Sequence, residues 1–380
     1  MTSKTQWVNE IYEKMEQKLY AECARMGEKI PYWTVGGVYE EDYAKKDIYW
    51  WTNGFWSGIL WQLYHATKNE LYLETARKNE DLLDQALHGF IGLHHDTGFM
   101  WLHSAVADYR LTGSEEAKVR GLNAASVLAG RYNPNGKFIR AWNPECVEEG
   151  EDCTGWIIVD SMMNIPLLYW AGQITGDPRF QQIAVNHADT VASYLVREDG
   201  SCGHIACINP DTGELEHILG GQGYSETSSW SRGQSWILYG FALSYRHTKN
   251  KKYLDIAKKT AHYFISNIAL TGYIPLCDFR QPASAAYTDT SAGLCAACGL
   301  LEIAEHVDEC EKNLYRIYAE LILKHTAETC CDWNPDTDGI VQNCKVAFHN
   351  DRREQTDLIY ADYFLTEAVL RLLGKDFLIW

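Results

Sequence analysis

The sequence of 380 residues predicts an all-α protein, an (α/α)6 barrel of six helical hairpins whose long loops lie at one end. Three observations predict this fold. Apolar residues recur at helical spacing in about twelve segments. A helix–turn–helix element returns along the chain, with an apolar helix before the turn and an amphipathic helix after it. Such pairs bury their apolar members against one another, which a closed ring of six inner helices inside six outer helices achieves.

The first helix shows the periodicity clearly, because Trp7, Ile11, Met15, Leu19 and Cys23 follow one another four residues apart. An open solenoid of helix pairs is the alternative, but its repeats would be more uniform in length. We therefore expect the barrel to form a single domain over residues 1–380. The predicted helices span residues 4–26, 53–67, 70–87, 98–111, 114–131, 157–175, 178–196, 231–248, 251–269, 289–307, 310–329 and 357–373.

The recurring turn has a consistent composition. Gly113 and Gly176 directly follow a threonine, and Asn69 and Asn250 come two residues after one. These Gly and Asn residues are predicted to supply the left-handed residue that ends a helix. Glu, Asp-Pro or another polar residue then starts the next helix. These turns are short, so the functional residues are expected on the long loops at the other end. The long loops span residues 27–50, 88–98, 132–156, 197–230, 270–288 and 330–356, and residues 202–208, followed by Asn209-Pro-Asp-Thr-Gly, predict a strand and turn.

Composition excludes several classes of function. A formal net charge of −17 argues against a nucleic-acid partner, which needs stripes of Lys and Arg. No apolar run reaches the length of a membrane span, and the N-terminus has no signal-peptide pattern, so a cytoplasmic protein is expected. Fourteen Trp and 23 Tyr suggest that part of the aromatic content lines a sugar pocket.

Metal and cofactor motifs are missing from the sequence. Cys295 and Cys298 form the one C-x-x-C, within an Ala-rich helix that favours core thiols. His94, His95 and Asp96 are adjacent rather than at i, i+4, so no metal site is predicted. No phosphate-binding glycine motif occurs either, and we expect chemistry without a cofactor.

Two acids are the candidates for catalysis. Asp160 lies in an apolar and aromatic stretch, where a carboxylate is costly unless it has a function or caps a helix. Asp96 starts an inner helix and is also open to a capping role, but the flanking His94 and His95 favour function, with His95 expected to contact substrate. Both acids should face one cavity at the long-loop end, an arrangement that suits acid/base work on a sugar.

Other polar and aromatic residues could complete a pocket. Arg232 is a cation among aromatic residues and suits a substrate carboxylate, although a structural salt bridge is the alternative. Trp51 and Trp236 belong to two Trp- and Gly-rich segments that open inner helices. His204 and Gln222 lie on the 197–230 loop as possible hydrogen-bonding groups.

Several motifs, in order from about residue 50 to the end, resemble the unsaturated glucuronyl hydrolases of glycoside hydrolase family 88. These motifs are Trp51-Thr-Asn-Gly-Phe-Trp-Ser-Gly, Leu93-His-His-Asp-Thr-Gly-Phe, Ile139-Arg-Ala-Trp, Ile157-Ile-Val-Asp-Ser-Met-Met-Asn, Asn209-Pro-Asp-Thr-Gly, the run from Gln222 to Trp236, and Asp289-Thr-Ser-Ala. Members of this family are (α/α)6 barrels.

The resemblance implies hydrolysis of oligosaccharides left by polysaccharide lyases, whose terminal uronate carries a C4=C5 double bond. An acid protonates C4, water adds at C5, and the resulting hemiketal opens and expels the remaining sugar. By position Asp160 is that acid and base, and Asp96 is the second essential aspartate. Trp142, His204, Gln222, Arg232 and Trp236 match pocket residues of the family, with Trp51 as a stacking partner.

Relatives that accept sulfated disaccharides carry a Ser-x-His-Ser-x-Lys pattern near the C-terminus. Here the stretch reads Ala347-Phe-His-Asn-Asp-Arg, which keeps His349, places Arg352 where the pattern has Lys, and lacks both Ser. His349 is therefore expected to contact substrate, without an implied preference for sulfate. Ile-Ala-Cys-Ile after His204 also differs from the aromatic sequence of the family, which indicates a different +1 subsite.

Three alternatives remain at this point. An unsaturated rhamnogalacturonyl hydrolase would share the barrel and the chemistry but act on pectin or ulvan fragments. An isomerase of the N-acylglucosamine epimerase type would need paired histidines, and adjacent His94 and His95 are expected to diverge. A sugar-binding barrel without catalysis would tolerate loss of Asp160 with only weaker binding.

Overall fold

Twelve main helices build the barrel within residues 3–349 and 356–380, which the computed structural model describes. In α4 a π-helical stretch, Leu102–Val106, lies between two α-helical segments, and α6 is interrupted between Asn164 and Pro166. The predicted (α/α)6 barrel is confirmed. In chain order the helices are α1 (Ser3–Met26), α2 (Phe55–Thr67), α3 (Glu70–Gly89), α4 (97–112), α5 (Glu115–Ala129), α6 (161–175), α7 (Pro178–Tyr194), α8 (Ser231–Thr248), α9 (Lys251–Ile268), α10 (Thr290–Ala304), α11 (Glu309–Thr329) and α12 (Ile359–Leu373).

The inner ring consists of α2, α4, α6, α8, α10 and α12, each in contact with the next, and α12 closes the ring against α2. Each of α3, α5, α7, α9 and α11 packs outside the inner helix that precedes it. The sixth hairpin is formed by the two ends of the chain, because α1 packs on α12. The inner helices are buried except for their last turns, and in α10 every residue is buried.

The short turns follow the prediction only in part. Gly113 and Gly176 adopt the left-handed conformation as expected. At the other two turns the prediction was wrong, because Lys68 and Lys249 take that conformation. Asn69 and Asn250 instead cap the next helix, accepting hydrogen bonds from the backbone amides two residues later.

Two small antiparallel sheets decorate the long-loop end. Strands β1 (Tyr132–Asn133) and β2 (Phe138–Ile139) pair with each other, and β4 (Ile205–Ile208) lies between β3 (Trp156–Ile158) and β5 (Leu215–Leu219). The strand and turn predicted around 202–213 are confirmed. The helix predicted from residue 157 begins only at Ser161, because Ile157 pairs with Ala206 and this apolar run is a buried strand.

The residues after α12 turn back into the barrel. Gln62 Nε2 donates to the Phe377 carbonyl at 3.0 Å, and Arg110 donates to the carbonyls of Leu378 and Ile379, each at 2.6 Å. Trp380 is fully buried, and its Nε1 donates to a Glu367 carboxylate oxygen at 2.9 Å. This segment therefore fills the interior of the barrel from the end that carries the short turns.

All 12 cysteines are free thiols in the described chain. Cys295 and Cys298 are buried in α10, as expected for core thiols. Among the described residues, the helices are either too short or too polar to cross a bilayer.

Candidate active site

A cavity of about 440 Å³ lies at the long-loop end of the barrel. Three predicted site residues, His95, His204 and His349, are not among its lining residues. The residues that were predicted and do line it are Trp51, Asp96, Trp142, Asp160, Gln222, Arg232 and Trp236. The structure thus brings together both candidate acids, the candidate cation and the stacking aromatics.

Asp160 enters the cavity from the N-terminus of α6, directly after β3. It occupies the N-cap position, yet its side chain makes no capping hydrogen bond. The side chain is 16% exposed, and among the described residues its Oδ1 has no hydrogen-bond partner. Ile158 and Val159, which precede it, are fully buried. The capping alternative therefore does not account for this carboxylate.

Asp96 occupies the matching position at the start of α4 and also makes no capping bond. Its Oδ1 accepts a hydrogen bond from Asn164 Nδ2 at 2.9 Å, so α6 holds both acids. The two helices come unusually close here, since a Cβ added to Gly98 would lie 2.4 Å from Asn164 Cα. Glycine is required at this contact because a larger residue would push the acids apart.

The two adjacent histidines converge on Asp96. His94 Nδ1 lies 3.4 Å and His95 Nε2 3.5 Å from Asp96 Oδ2, and His95 Nε2 is also 3.6 Å from Asp160 Oδ1. The expectation that these side chains diverge was wrong, because the chain bends between them at the loop that precedes α4. His95 is fully buried and lies behind the two acids rather than in the cavity wall.

The convergence also removes the spacing argument against a metal. Ligand atoms of His94, His95 and Asp96 all lie within 4.8 Å of one another. Burial lowers the pKa of His94 to about 4 and that of His95 well below its usual value, so both rings are neutral at pH 7. Chemistry without a metal remains a prediction.

Burial shifts both acids toward their protonated forms. It raises the pKa of Asp96 to about 7, an increase opposed by the Asn164 hydrogen bond and by the charge of Arg131. The pKa of Asp160 is raised well above its usual value, first by burial and then by the negative charge of Asp96. The two carboxyl groups therefore titrate as a coupled pair, in which burial and the charge of Asp96 favour the protonated form of Asp160.

Arg232 lines the cavity, but its charge is already compensated. One of its nitrogens forms a fully buried ion pair with Asp289, and the guanidinium also donates to the carbonyls of Lys345 at 2.7 Å and Val346 at 2.6 Å. Its guanidinium lies over the Trp230 ring, 4.5 Å from the centroid. The structural salt bridge considered as the alternative is thus present, and Arg232 joins α8 to the 345–346 segment.

Gln222 and His204 are joined by a hydrogen bond. The Gln222 backbone amide donates to His204 Nδ1 at 2.9 Å, and Gln222 Nε2 donates to the Val346 carbonyl at 3.0 Å. His204 is buried behind Gln222, where burial lowers its pKa to about 4. His349 is exposed, with Nε2 2.9 Å from the Tyr224 carbonyl. Residues 350 and 352, which complete the sulfate-related pattern, lie outside the described part of the chain.

Aromatic rings form the floor and walls of the cavity. The rings of Trp51 and Trp236 each pack on Phe99, at centroid distances of 5.4 Å. Trp142 approaches from the segment after β2 and contacts Trp156. Flat indole faces around paired carboxylates suit a sugar ring.

Sequence reasoning missed several lining residues. They come from the long loops, where no periodic pattern identifies an inward-facing side chain. Two of them had a signal in the sequence, because His94 adjoins Asp96 and Trp230 begins a Trp- and Gly-rich segment. The missed residues are Tyr32, Asp47, Trp50, His94, Glu145, Cys146, Trp230 and Val346.

Comparison with known proteins agrees with this geometry. The family model described as Glycosyl Hydrolase Family 88 matches residues 29–269. The chain belongs to glycosyl hydrolase family 88. This family 88 protein is 35% identical over 357 residues to the unsaturated glucuronyl hydrolase of Bacillus sp. (strain GL1), with 92% of each chain covered. It is 32% identical to the unsaturated chondroitin disaccharide hydrolase of Streptococcus agalactiae serotype III, over 98% of this chain and 93% of that protein.

Solved structures of family members superimpose on the same barrel. The unsaturated glucuronyl hydrolase of Bacillus sp. GL1 gives a TM-score of 0.90 at 32% identity, with 96% of each chain covered. A variant of the Streptococcus agalactiae enzyme, solved in complex with dGlcA-GalNAc6S, gives 0.83 at 29% identity over 98% of this chain and 93% of that chain. The family 88 protein is therefore a glycoside hydrolase, which sets aside the isomerase and the non-catalytic barrel.

Proposed function

We propose that this family 88 enzyme is an unsaturated glucuronyl hydrolase. It removes the non-reducing terminal 4,5-unsaturated uronic acid from lyase-generated, glycosaminoglycan-type oligosaccharides. The observation that carries the proposal is Asp160, a carboxyl group without a hydrogen-bond partner for Oδ1 among the described residues, which shares one aromatic cavity with Asp96. An acid held protonated near neutral pH is what hydration of a vinyl ether requires.

In the proposed reaction Asp160 transfers its proton to C4 of the uronate, and the C4=C5 electron pair forms the new C–H bond. Positive charge develops at C5 and on the ring oxygen. Water then attacks C5 and returns a proton to the Asp160 carboxylate, so the acid is regenerated. The hemiketal at C5 opens by breaking its bond to the ring oxygen, and the rest of the sugar leaves from C1.

Asp96 is assigned a supporting part in this scheme. Its carboxylate would accept hydrogen bonds from ring hydroxyls, and its charge helps to keep the proton on Asp160. Trp51, Trp142 and Trp236 would stack on the sugar rings, and Gln222 would donate to the uronate or its neighbour. Substrate contacts through His95, His204 and His349 remain predictions, since these residues lie outside the cavity lining.

The test is the ultraviolet absorbance of the conjugated uronate, which falls when the double bond is hydrated. The wild-type enzyme should remove this absorbance from unsaturated disaccharides, and Asp160→Asn should abolish the loss while the circular dichroism spectrum is unchanged. Asp211→Asn, at an exposed turn between β4 and β5, is the matched control and should react at the wild-type rate. An Asp160→Asn enzyme as fast as wild type would overturn the assignment.

A panel of substrates defines the +1 sugar. Unsulfated and sulfated disaccharides from chondroitin, hyaluronan and heparin should be compared with unsaturated rhamnogalacturonyl fragments. Activity confined to the last group would replace the proposal by a rhamnogalacturonyl hydrolase with the same chemistry.

The 12 free cysteines support a reducing, cytoplasmic location for this reaction.

A further inference from the structure

Arg131 follows α5 and lies outside the cavity, between two segments that reach into it. The side chain is half-buried, and within residues 3–349 and 356–380 its hydrogen bonds go to carbonyl and amide oxygens rather than to a carboxylate. Burial and the nearby Arg140 lower its pKa to about 10, so it is charged at neutral pH. The N–H donors of a half-buried guanidinium that has no carboxylate partner need other hydrogen-bond acceptors.

All five N–H donors of this guanidinium have acceptors. Nε donates to the Arg140 carbonyl at 2.9 Å, and Nη2 donates to the carbonyls of Ala141 at 2.9 Å and Trp142 at 3.0 Å. Nη1 donates to the Leu93 carbonyl at 3.2 Å and to Asn143 Oδ1 at 2.8 Å. One side chain thus joins the segment that leads into Asp96 to the segment that carries Trp142.

Neighbouring hydrogen bonds extend this junction. Asn143 Nδ2 donates to the Leu93 carbonyl at 3.1 Å, and the His95 amide donates to the Ala141 carbonyl at 3.2 Å. The Ala141 amide in turn donates to the Trp156 carbonyl at 2.8 Å, on the strand that ends beside Asp160. Segments 93–96, 140–143 and 156–160 are therefore one hydrogen-bonded unit with Arg131 at its centre.

We propose that Arg131 is a positioning residue, which fixes Asp96 and Trp142 relative to each other through this unit. The assignment of catalytic work to Asp96 rests on the proposed function above. Arg131 itself touches no reacting atom in that scheme, and it acts through the two segments that it joins.

The charge of Arg131 has a second, separable effect on Asp96. It opposes the rise in the pKa of Asp96 that burial causes, so removing the charge moves that pKa further up. The other groups that face Asp96 are Asn164, which also lowers its pKa, the neutral rings of His94 and His95, and Asp160. None of these replaces the positive charge of Arg131.

Two variants separate geometry from charge. Arg131→Lys keeps the positive charge but cannot bond to all five acceptors. Arg131→Met removes both the charge and the five hydrogen bonds. Each should lower kcat/KM about 10- to 100-fold through misplacement of the acid and the stacking ring, mostly in kcat. Only Arg131→Met should also move the acidic limb of the pH profile to higher pH. Arg140→Met removes a neighbouring charge and the Arg140 Nε bond to the Trp142 carbonyl, at 2.9 Å. It leaves all five Arg131 bonds in place, because Arg140 accepts through its backbone carbonyl, so its loss should be smaller than that of Arg131→Lys.

Hydrogen exchange gives a readout that does not depend on substrate. Amides in segments 93–96 and 140–143 should exchange faster in both Arg131 variants, whereas α9 should be unchanged. If Arg131→Met does not fold, Arg131→Lys alone carries the test. Unchanged exchange together with kcat/KM within about twofold of wild type would overturn the proposal. Inactive wild-type enzyme with faster exchange in the variants would instead refute the proposed function and leave the junction intact.

Discussion

Replacing Asn164 by alanine tests whether its hydrogen bond to Asp96 keeps that carboxyl group ionised while Asp160 is protonated. Asn164 lies one turn after Asp160 on α6, and its Nδ2 donates to Asp96 Oδ1 at 2.9 Å. Its Oδ1 accepts a hydrogen bond from the Phe99 amide at 2.7 Å. The side chain therefore stabilises the ionised form of Asp96 and anchors the first turn of α4.

The expected shift follows from the hydrogen bond that is lost. A hydrogen bond to a charged group contributes about 1.5–3 kcal/mol, and one pKa unit corresponds to about 1.4 kcal/mol. The pKa of Asp96, raised by burial to about 7, should therefore rise further by roughly one to two units in Asn164→Ala. Because Asp96 must be ionised in the proposed scheme, the acidic limb of kcat/KM should move up by the same amount.

The assay is the rate of absorbance loss on an unsaturated disaccharide, measured across the pH range over which the enzyme is folded. Asn186→Ala is the matched control, since it removes an amide donor to the Tyr132 hydroxyl, at 2.8 Å, on the outer helix α7. The control should keep the wild-type profile. An Asn164→Ala enzyme that is folded and keeps its acidic limb within about 0.3 pH units of wild type would refute the reasoning.

Two further predictions concern stability and helix packing. Glu22 is fully buried, and burial followed by the charges of two nearby aspartates raises its pKa well above the usual 4.5, so its contribution to stability is lost as pH rises. Glu22→Gln should therefore raise the melting temperature at neutral and higher pH but not below pH 4.5. Glu13→Gln, at an exposed position, should leave the melting temperature unchanged at every pH. An increase in melting temperature for Glu22→Gln that did not depend on pH would contradict this explanation. Gly98→Ala should separate α4 from α6, cost about 1–3 kcal/mol of unfolding free energy and lower kcat, because its Cβ would lie 2.4 Å from Asn164. Gly172→Ala on α6, where the nearest atom would be 3.5 Å away, should be normal in both measurements, and equal behaviour of the two glycine variants would count against the close-contact argument.

Periodicity and turn chemistry were enough to predict the barrel, and the apolar setting of Asp160 was enough to select it. These features are local, so they are readable along the chain. The pairing of Arg232 with Asp289 was not predictable in this way, because the two residues are 57 positions apart and only the ring of helices brings them together. The same holds for the junction at Arg131, because four of its five acceptors are backbone carbonyls, which any sequence would supply.

Errors in the predicted helices have local physical causes. The apolar run before Asp160 fits a buried helix and a buried strand equally well, and pairing with β4 decides for the strand. Lys68 adopts a left-handed conformation that usually favours glycine or asparagine. Asn69 is the N-cap of α3 instead, where its side chain accepts a hydrogen bond from a backbone amide of that helix. The histidines beside Asp96 converge because they lie in a loop, where the angular spacing of a helix does not apply.

Trp380 and the segment before it fill the barrel below the cavity. Its ring packs beneath Phe99, on which Trp51 and Trp236 rest, so the interior of the barrel is occupied below the acids. Under the proposed function a saccharide would advance only until its terminal unit meets this base, so an internal unit of a long chain would not reach Asp160. An enzyme of this kind would consume its substrates from one end, one unit at a time, and the larger fragment would leave before the excised uronate beneath it.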